Sequence, residues 1–248
     1  MAMEQTALID VRNAKKTYHV GSVDVRALRG VSFRIFDGGV SCIIGRSGSG
    51  KSTLLNVLAG LERVSSGEIV LLGKHLEKMN QSELILFRQR HVGFVFQSFN
   101  LMPYYTALEN VALPLAFRGV PGYKRNALAR RMLEAVGLST HIRHKPSEMS
   151  GGQQQRVGIA RALVTNPDIV FADEPTGNLD SGTSDEVMNM ITGIVREQKK
   201  TLIMVTHDPN MAAYADRVIR LLDGKIVEDR DQTVPRIEGE TTHEENHL

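Results

Sequence analysis

GRSGSGKS, Gly45 to Ser52, decides how the rest of the chain is read. It fits G-x-x-x-x-G-K-[ST] and stands between the apolar run Val40 to Ile44 and the helical spacing of Leu54, Leu55, Val57 and Leu58. That context predicts a strand, a loop and a helix. In such a loop Gly45, Arg46, Ser47, Gly48, Ser49 and Gly50 turn backbone N–H groups toward phosphates, and Lys51 brings a point charge. Ser52 offers its hydroxyl to Mg2+, with Thr53 beside it in the opening turn of the helix. The stretch reads as a nucleoside triphosphate site.

Outward from it, IVFADEP (Ile169 to Pro175) ends a second apolar run with two carboxylates. A phosphate loop needs another anchor for its metal, and Asp173 fits that role. Glu174 points the other way along the chain, toward an attacking water, as general base or water positioner. Gln97 follows the run Val92 to Phe96, His207 follows Leu202 to Thr206, and Tyr18 lies in the alternating N-terminal stretch. Singly each carries little signal, because strand ends are usually just solvated and tyrosines usually pack. They matter if their strand ends and loops converge on one edge of a sheet.

Val40 to Ile44, Ile169 to Ala172 and Leu202 to Val205 read as buried strands of one mostly parallel sheet covered by helices. The first forty residues alternate apolar and polar, which predicts short antiparallel strands. The expected fold is therefore α/β, a P-loop NTPase core with an N-terminal antiparallel β subdomain and an α-helical subdomain. The helical part is read as residues 81–156, from Leu128, Met132, Leu133 and Val136 at helical spacing before Gly137, with Pro103, Pro114, Pro121 and Pro146 keeping its helices short. Residues 1–80 and 157–230 form the core, closing with a strand, the turn Asp223-Gly224 and a strand Lys225 to Val227. Residues 231–248, acidic and polar, read as a disordered tail.

Composition limits the function. Thirty Lys and Arg against 28 Asp and Glu leave a net charge of +2, which gives no electrostatic footing for a nucleic-acid partner. The single Cys42, beside Ile43 and Ile44, excludes a disulfide framework and reads as a buried small hydrophobe in a reducing compartment. MAMEQTALID lacks the basic and apolar parts of an export leader, and no apolar run approaches the ~20 residues needed to span a bilayer.

SGGQQQR, Ser150 to Arg156, has no apolar face, yet it precedes the helical run Val157 to Leu163 and would present free N–H groups at a helix start. That is a second anion site in a chain that already has one. Here the sequence resembles the nucleotide-binding subunit of an ATP-binding cassette (ABC) transporter, from Leu8 to about Asp229. MSGGQQQR is similar to the family signature, with Met149 where leucine is usual.

The resemblance implies that Ser150, Gly151, Gly152 and Gln153 complete the ATP site of a second copy, packed head to tail, with the helix beginning near Gln153. It implies stacking of Tyr18 on adenine, Gln97 on Mg2+ and in contact with a membrane partner, and His207 on the terminal phosphate. Asn178, Leu179 and Asp180 match the segment that crosses the dimer interface. Glu174, His207 and Lys51 are all in place, so ATP hydrolysis with Mg2+ is expected.

VGFVFQSFNLMPYYTALENVALPL and PSEMSGGQQQRVGIARAL resemble the subgroup serving macrolide efflux, lipoprotein release, antimicrobial-peptide resistance and cell-division permeases. That implies a place on the cytoplasmic face of the membrane, held by a permease with a large extracytoplasmic domain and docked near Phe99, Leu101, Met102, Tyr104 and Tyr105. Soluble ABC ATPases of nucleic acid or ribosomes usually carry two cassettes or a long coiled-coil insertion, and neither is seen here. A regulator signalling through a permease would share every residue named.

Overall fold

A computed structural model describes residues 7–232. Two sheets and six α-helices form over these residues. The antiparallel sheet has the order β2-β1-β4-β5, from β1 (Ile9–Val20), β2 (Val23–Ile35), β4 (Ser66–Leu71) and β5 (Lys74–His75). The main sheet has the order β10-β9-β3-β8-β7-β6, with β3 (Gly39–Ile44), β6 (Val92–Val95), β7 (Ile169–Asp173), β8 (Thr201–Thr206), β9 (Arg217–Leu222) and β10 (Lys225–Asp231). All its pairs are parallel except β9 with β10.

The apolar runs of the sequence are explained by burial on both faces of this sheet. In β8, Leu202 and Met204 enter one core while Ile203 and Val205 enter the other; in β7, Val170 and Ala172 part in the same way from Ile169 and Phe171. Successive strand side chains point to opposite faces, so a strand covered twice has no polar positions to spare. One face carries α1 (Lys51–Leu58) and the antiparallel sheet, the other α5 (Gly151–Leu163) and α6 (Ser181–Glu197). Cys42 lies in the second core, fully buried, and burial pushes its thiol up to about 12. At pH 8 only about one such thiol in 10⁴ is ionised, so alkylation of the native chain should run at least ~10³-fold slower than in denaturant. Equal rates under the two conditions would show that Cys42 is accessible.

Two boundaries differ from the sequence reading. The interval expected to be a helical insert from Gln81 contains α2 (Gln81–His91), whose Leu84 and Phe87 join the core around Leu54 and Leu58, and β6, which pairs with β7. The helices that stand apart are α3 (Ala107–Phe117) and α4 (Gly122–Ala135), packed on α5. The other limit, 156/157, falls inside α5. Gly137 (φ 76) ends the α4 region as expected, with its N–H on the Glu134 carbonyl and that of Leu138 on Leu133. β10 reaches Asp231, beyond Val227 and into the stretch read as tail; residues 233–248 of that tail lie outside the described residues. No helix among the described residues is long and apolar enough to cross a membrane.

Candidate functional site

The strand order brings four carboxyl ends to one edge. β3 leads into Gly45–Gly50, β6 is followed by Phe96 and Gln97, β7 ends at Asp173 and β8 is followed by His207. A parallel sheet places its ligands at this edge, because loops leaving neighbouring strands open there. A cleft of about 900 Å³ lies here, lined by Ser47, Gly48, Gly50, Lys51, Ser52, Thr53, Tyr18, Gln97, Glu174 and His207.

The loop owes its shape to two left-handed glycines, Gly48 (φ 78) and Gly50 (φ 100). At Gly50 any Cβ would strike the Ala27 carbonyl as well, so glycine is required twice over. Gly50 is also the N-cap of α1, and it supplies no side chain to the first turn. By contrast α2, α3, α5 and α6 are capped by Asn80, Thr106, Ser150 and Asp180. The free N–H groups and the helix dipole of α1 face the cleft, an arrangement suited to phosphate. Lys51 is buried, and its ammonium donates to the Arg46 carbonyl at 3.1 Å. The turn Asp223-Gly224 braces the loop from behind, Gly224 N–H donating to the Ser49 carbonyl at 3.0 Å.

Ser52 donates its hydroxyl to Asp173 Oδ1 at 3.1 Å. Burial pushes the Asp173 carboxyl above its usual range, the Ser52 hydroxyl opposes this, the Glu174 charge adds to it and Lys51 opposes it again. A carboxylate short of solvent and close to one hydroxyl suits a small divalent cation that brings its own waters and phosphate oxygens. The described residues contain no group of three His, Cys, Asp or Glu side chains close enough to hold a metal ion.

Glu174 leaves the strand in a left-handed conformation (φ 47), its N–H donating to the Val205 carbonyl at 2.9 Å. Its carboxylate is hydrogen-bonded to His207 Nδ1. A glutamate held at positive φ is strained, and strain of this kind collects where a side chain must be aimed. Asn178 donates to the Gln97 carbonyl at 2.9 Å, which ties the loop after β7 to the loop after β6.

Other residues singled out in the sequence do not reach this cleft. Ser150, Gly151, Gly152 and Gln153 are not among its lining residues, nor are Asn178, Leu179 and Asp180. These two groups lie together instead: a Cβ on Gly151 would touch Leu179, and one on Gly152 would strike the Thr183 methyl at 2.5 Å. α5 begins at Gly151 rather than near Gln153, because Ser150 Oγ accepts from the Gln153 N–H (3.3 Å) and Gln153 Oε1 accepts from the Ser150 N–H (3.0 Å). Sequence reading missed the wall supplied by Asp24, Arg26 and Arg29 of β2 and by Asp223. The strands here were expected to be short, whereas β1 and β2 run for 12 and 13 residues.

Comparison with known proteins agrees with this geometry. The family described as ABC transporter matches residues 28–177. The lipoprotein-releasing system ATP-binding protein LolD of Geobacter metallireducens is 43% identical over 90% of this chain and 100% of its own length. A macrolide export ATP-binding/permease protein MacB of Syntrophobacter fumaroxidans is 45% identical over 88% of this chain, which spans only 31% of that protein. Among solved structures, a dimeric post-hydrolysis state of the ATP-binding cassette MJ0796 bound to ADP and Pi matches with a TM-score of 0.84 and 41% identity, over 90% of this chain and 98% of the other. With a phosphate loop, an acidic strand end and a signature helix start arranged as described, and with relatives matched along most of the described residues, this chain belongs to the ABC transporter family.

Proposed function

We propose that the chain binds and hydrolyses ATP with Mg2+ at a site shared by two copies of itself, and that the closing of this pair drives an integral membrane permease. The observation that carries the proposal is the division of the motifs. Lys51, Ser52, Gln97, Glu174 and His207 line one cleft, while Ser150–Gln153, which also form a helix start suited to an anion, are not among its lining residues. A second copy placed head to tail brings its helix start to the open side of the cleft. Ser150 Oγ accepts within its own helix and keeps its O–H to donate to the partner's terminal phosphate. The segment Asn178–Asp180, beside Gly151, then lies at the junction between the copies.

The chemistry follows from the residues. Glu174, oriented by its hydrogen bond to His207, holds a water in line with the terminal phosphorus. As the water oxygen bonds to phosphorus, the bond to the bridging oxygen breaks, the water proton passes to Glu174, and ADP and phosphate result. Lys51, the α1 N–H groups and the partner's Ser150 neutralise charge spread over the terminal oxygens. Ser52 and Asp173, with Gln97 at hand, would hold Mg2+, which would supply further charge neutralisation at the phosphates. Tyr18 would stack on adenine, and Asp24, Arg26 and Arg29 would flank it.

The permease, on this reading, carries a large extracytoplasmic domain and holds the chain at the cytoplasmic face of the membrane; what supports a permease partner is the relative named as a macrolide export ATP-binding/permease protein. The stretch after Gln97 offers a docking surface. Met102, Tyr104 and Tyr105 are exposed, Tyr104 by 85%, while Leu101 turns into the core. Arg161 fixes the backbone of this stretch by donating to the carbonyls of Phe99 and Asn100 at 2.8 and 2.6 Å.

Ser150→Phe tests the shared site. Its ATP affinity as a monomer should stay within about twofold of the parent, while turnover falls at least ~100-fold, because a ring at that position obstructs the partner's phosphate. Loss of ATP binding in the monomer would place Ser150 at its own chain's nucleotide and overturn the shared-site reading.

A further inference from the structure

Glu62, in the turn after α1, belongs to no motif, yet it collects more polar partners than any residue of the phosphate loop. Tyr18 donates its phenol O–H to Glu62 Oε2 at 2.6 Å, and Asn56 donates from Nδ2 to Oε1 at 3.0 Å. Lys16 brings its ammonium to 3.3 Å from the same carboxylate, donates to the Arg63 carbonyl at 2.8 Å and sits 5.0 Å from the centre of the Tyr18 ring. Thr53 Oγ1 lies 3.5 Å from the phenol oxygen. Asn56 and Thr53 belong to α1, the helix that begins with Lys51 and Ser52.

We propose that Glu62 is a positioning residue for base recognition, fixing Tyr18 as a flat platform on the helix that also binds the phosphates. The inference rests on the ATP reading above. Tyrosine has two rotatable side-chain bonds, so an unanchored ring on the rim of a wide cleft would sample several orientations and lose that freedom when a base stacks on it. Glu62 removes this freedom in advance by holding the phenol end, and Lys16 covers one face of the ring, leaving the other for a planar base. Glu62 is itself held by Asn56 of α1, and Thr53 of α1 lies beside the phenol, so base platform and phosphate site are both referred to one helix. Burial alone would raise the Glu62 carboxyl, but hydrogen bonds from Tyr18, Asn56 and Lys16 outweigh it and keep the group below its usual range, so it stays ionised at neutral pH.

The experiment compares two probes, ATP and inorganic tripolyphosphate, each with Mg2+, by calorimetric titration of the parent chain, Glu62→Ala, Tyr18→Ala and the double variant. Stacking on an aromatic ring contributes enough that its loss weakens binding about tenfold. Glu62→Ala should therefore lose about tenfold for ATP and less than about twofold for tripolyphosphate. The double variant should be no worse than Tyr18→Ala. The unchanged tripolyphosphate affinity also reports that the phosphate loop is intact, which separates positioning from misfolding. If Glu62→Ala weakens both probes by the same factor, or neither, Glu62 does not position the platform. If the parent itself binds ATP no better than tripolyphosphate, Tyr18 is no base platform and the underlying reading of that residue fails first.

Discussion

Replacing Lys51 with alanine is expected to weaken ATP binding about a hundredfold and to abolish measurable turnover. The ammonium is buried against the Arg46 carbonyl, and the other cation of the loop, Arg46, is exposed and does not line the cleft, so Lys51 is the loop's charge for the outer phosphates. A charge-assisted contact to phosphate in a site sheltered from water contributes roughly 2–3 kcal/mol, which sets the size of the effect. Folding should survive, since the variant removes a charge from an open cleft and leaves the two cores untouched. Equilibrium titration with ATP and Mg2+ checks this, and an affinity within threefold of the parent would contradict the placement of the phosphates.

Glu174→Gln should separate binding from chemistry. The amide keeps the shape of the side chain and its place beside His207, so ATP affinity should change by less than about threefold. It cannot take the water's proton, and general-base catalysis is worth about 10²–10⁴ in rate, so turnover should fall by that factor. A hydrolysis rate within tenfold of the parent would remove Glu174 from the reaction. Because φ 47 is tolerated by glutamine as it is by glutamate, the substitution adds no new backbone strain.

The features most legible in the sequence were those whose signal is local. A strand covered on both faces must be apolar throughout, and a glycine loop between such a strand and a helix reads as a phosphate site from eight residues. The Ser150 cap is written in S-x-x-Q as well, but the helix start was placed near Gln153 and the cap was overlooked. Features that depend on distant pairing were not legible. Val92–Val95 reads as an apolar run before Gln97, but nothing local reveals that it pairs beside β7, 77 positions further on (Val95 with Ala172). Arg26, Arg29 and Asp223 line the cleft only because the first hairpin folds over the phosphate loop and the β9–β10 turn supports it. Glu62 was invisible for the same reason: its partners Lys16 and Tyr18 lie on β1, distant in sequence from the turn that carries it. The glycines of the signature are in part a packing device, since Gly152 makes room for Thr183, a contact no sequence pattern states.

For this mechanism to run, two copies must enclose ATP between them. The most direct measurement is the mass of Glu174→Gln in solution by light scattering, first without nucleotide and then with saturating ATP and Mg2+. The mass of one chain without nucleotide and of two chains with it, the increase being lost when Ser150→Phe or Lys51→Ala is added, is the outcome this structure predicts. A mass that stays at one chain while ATP is demonstrably bound would contradict it.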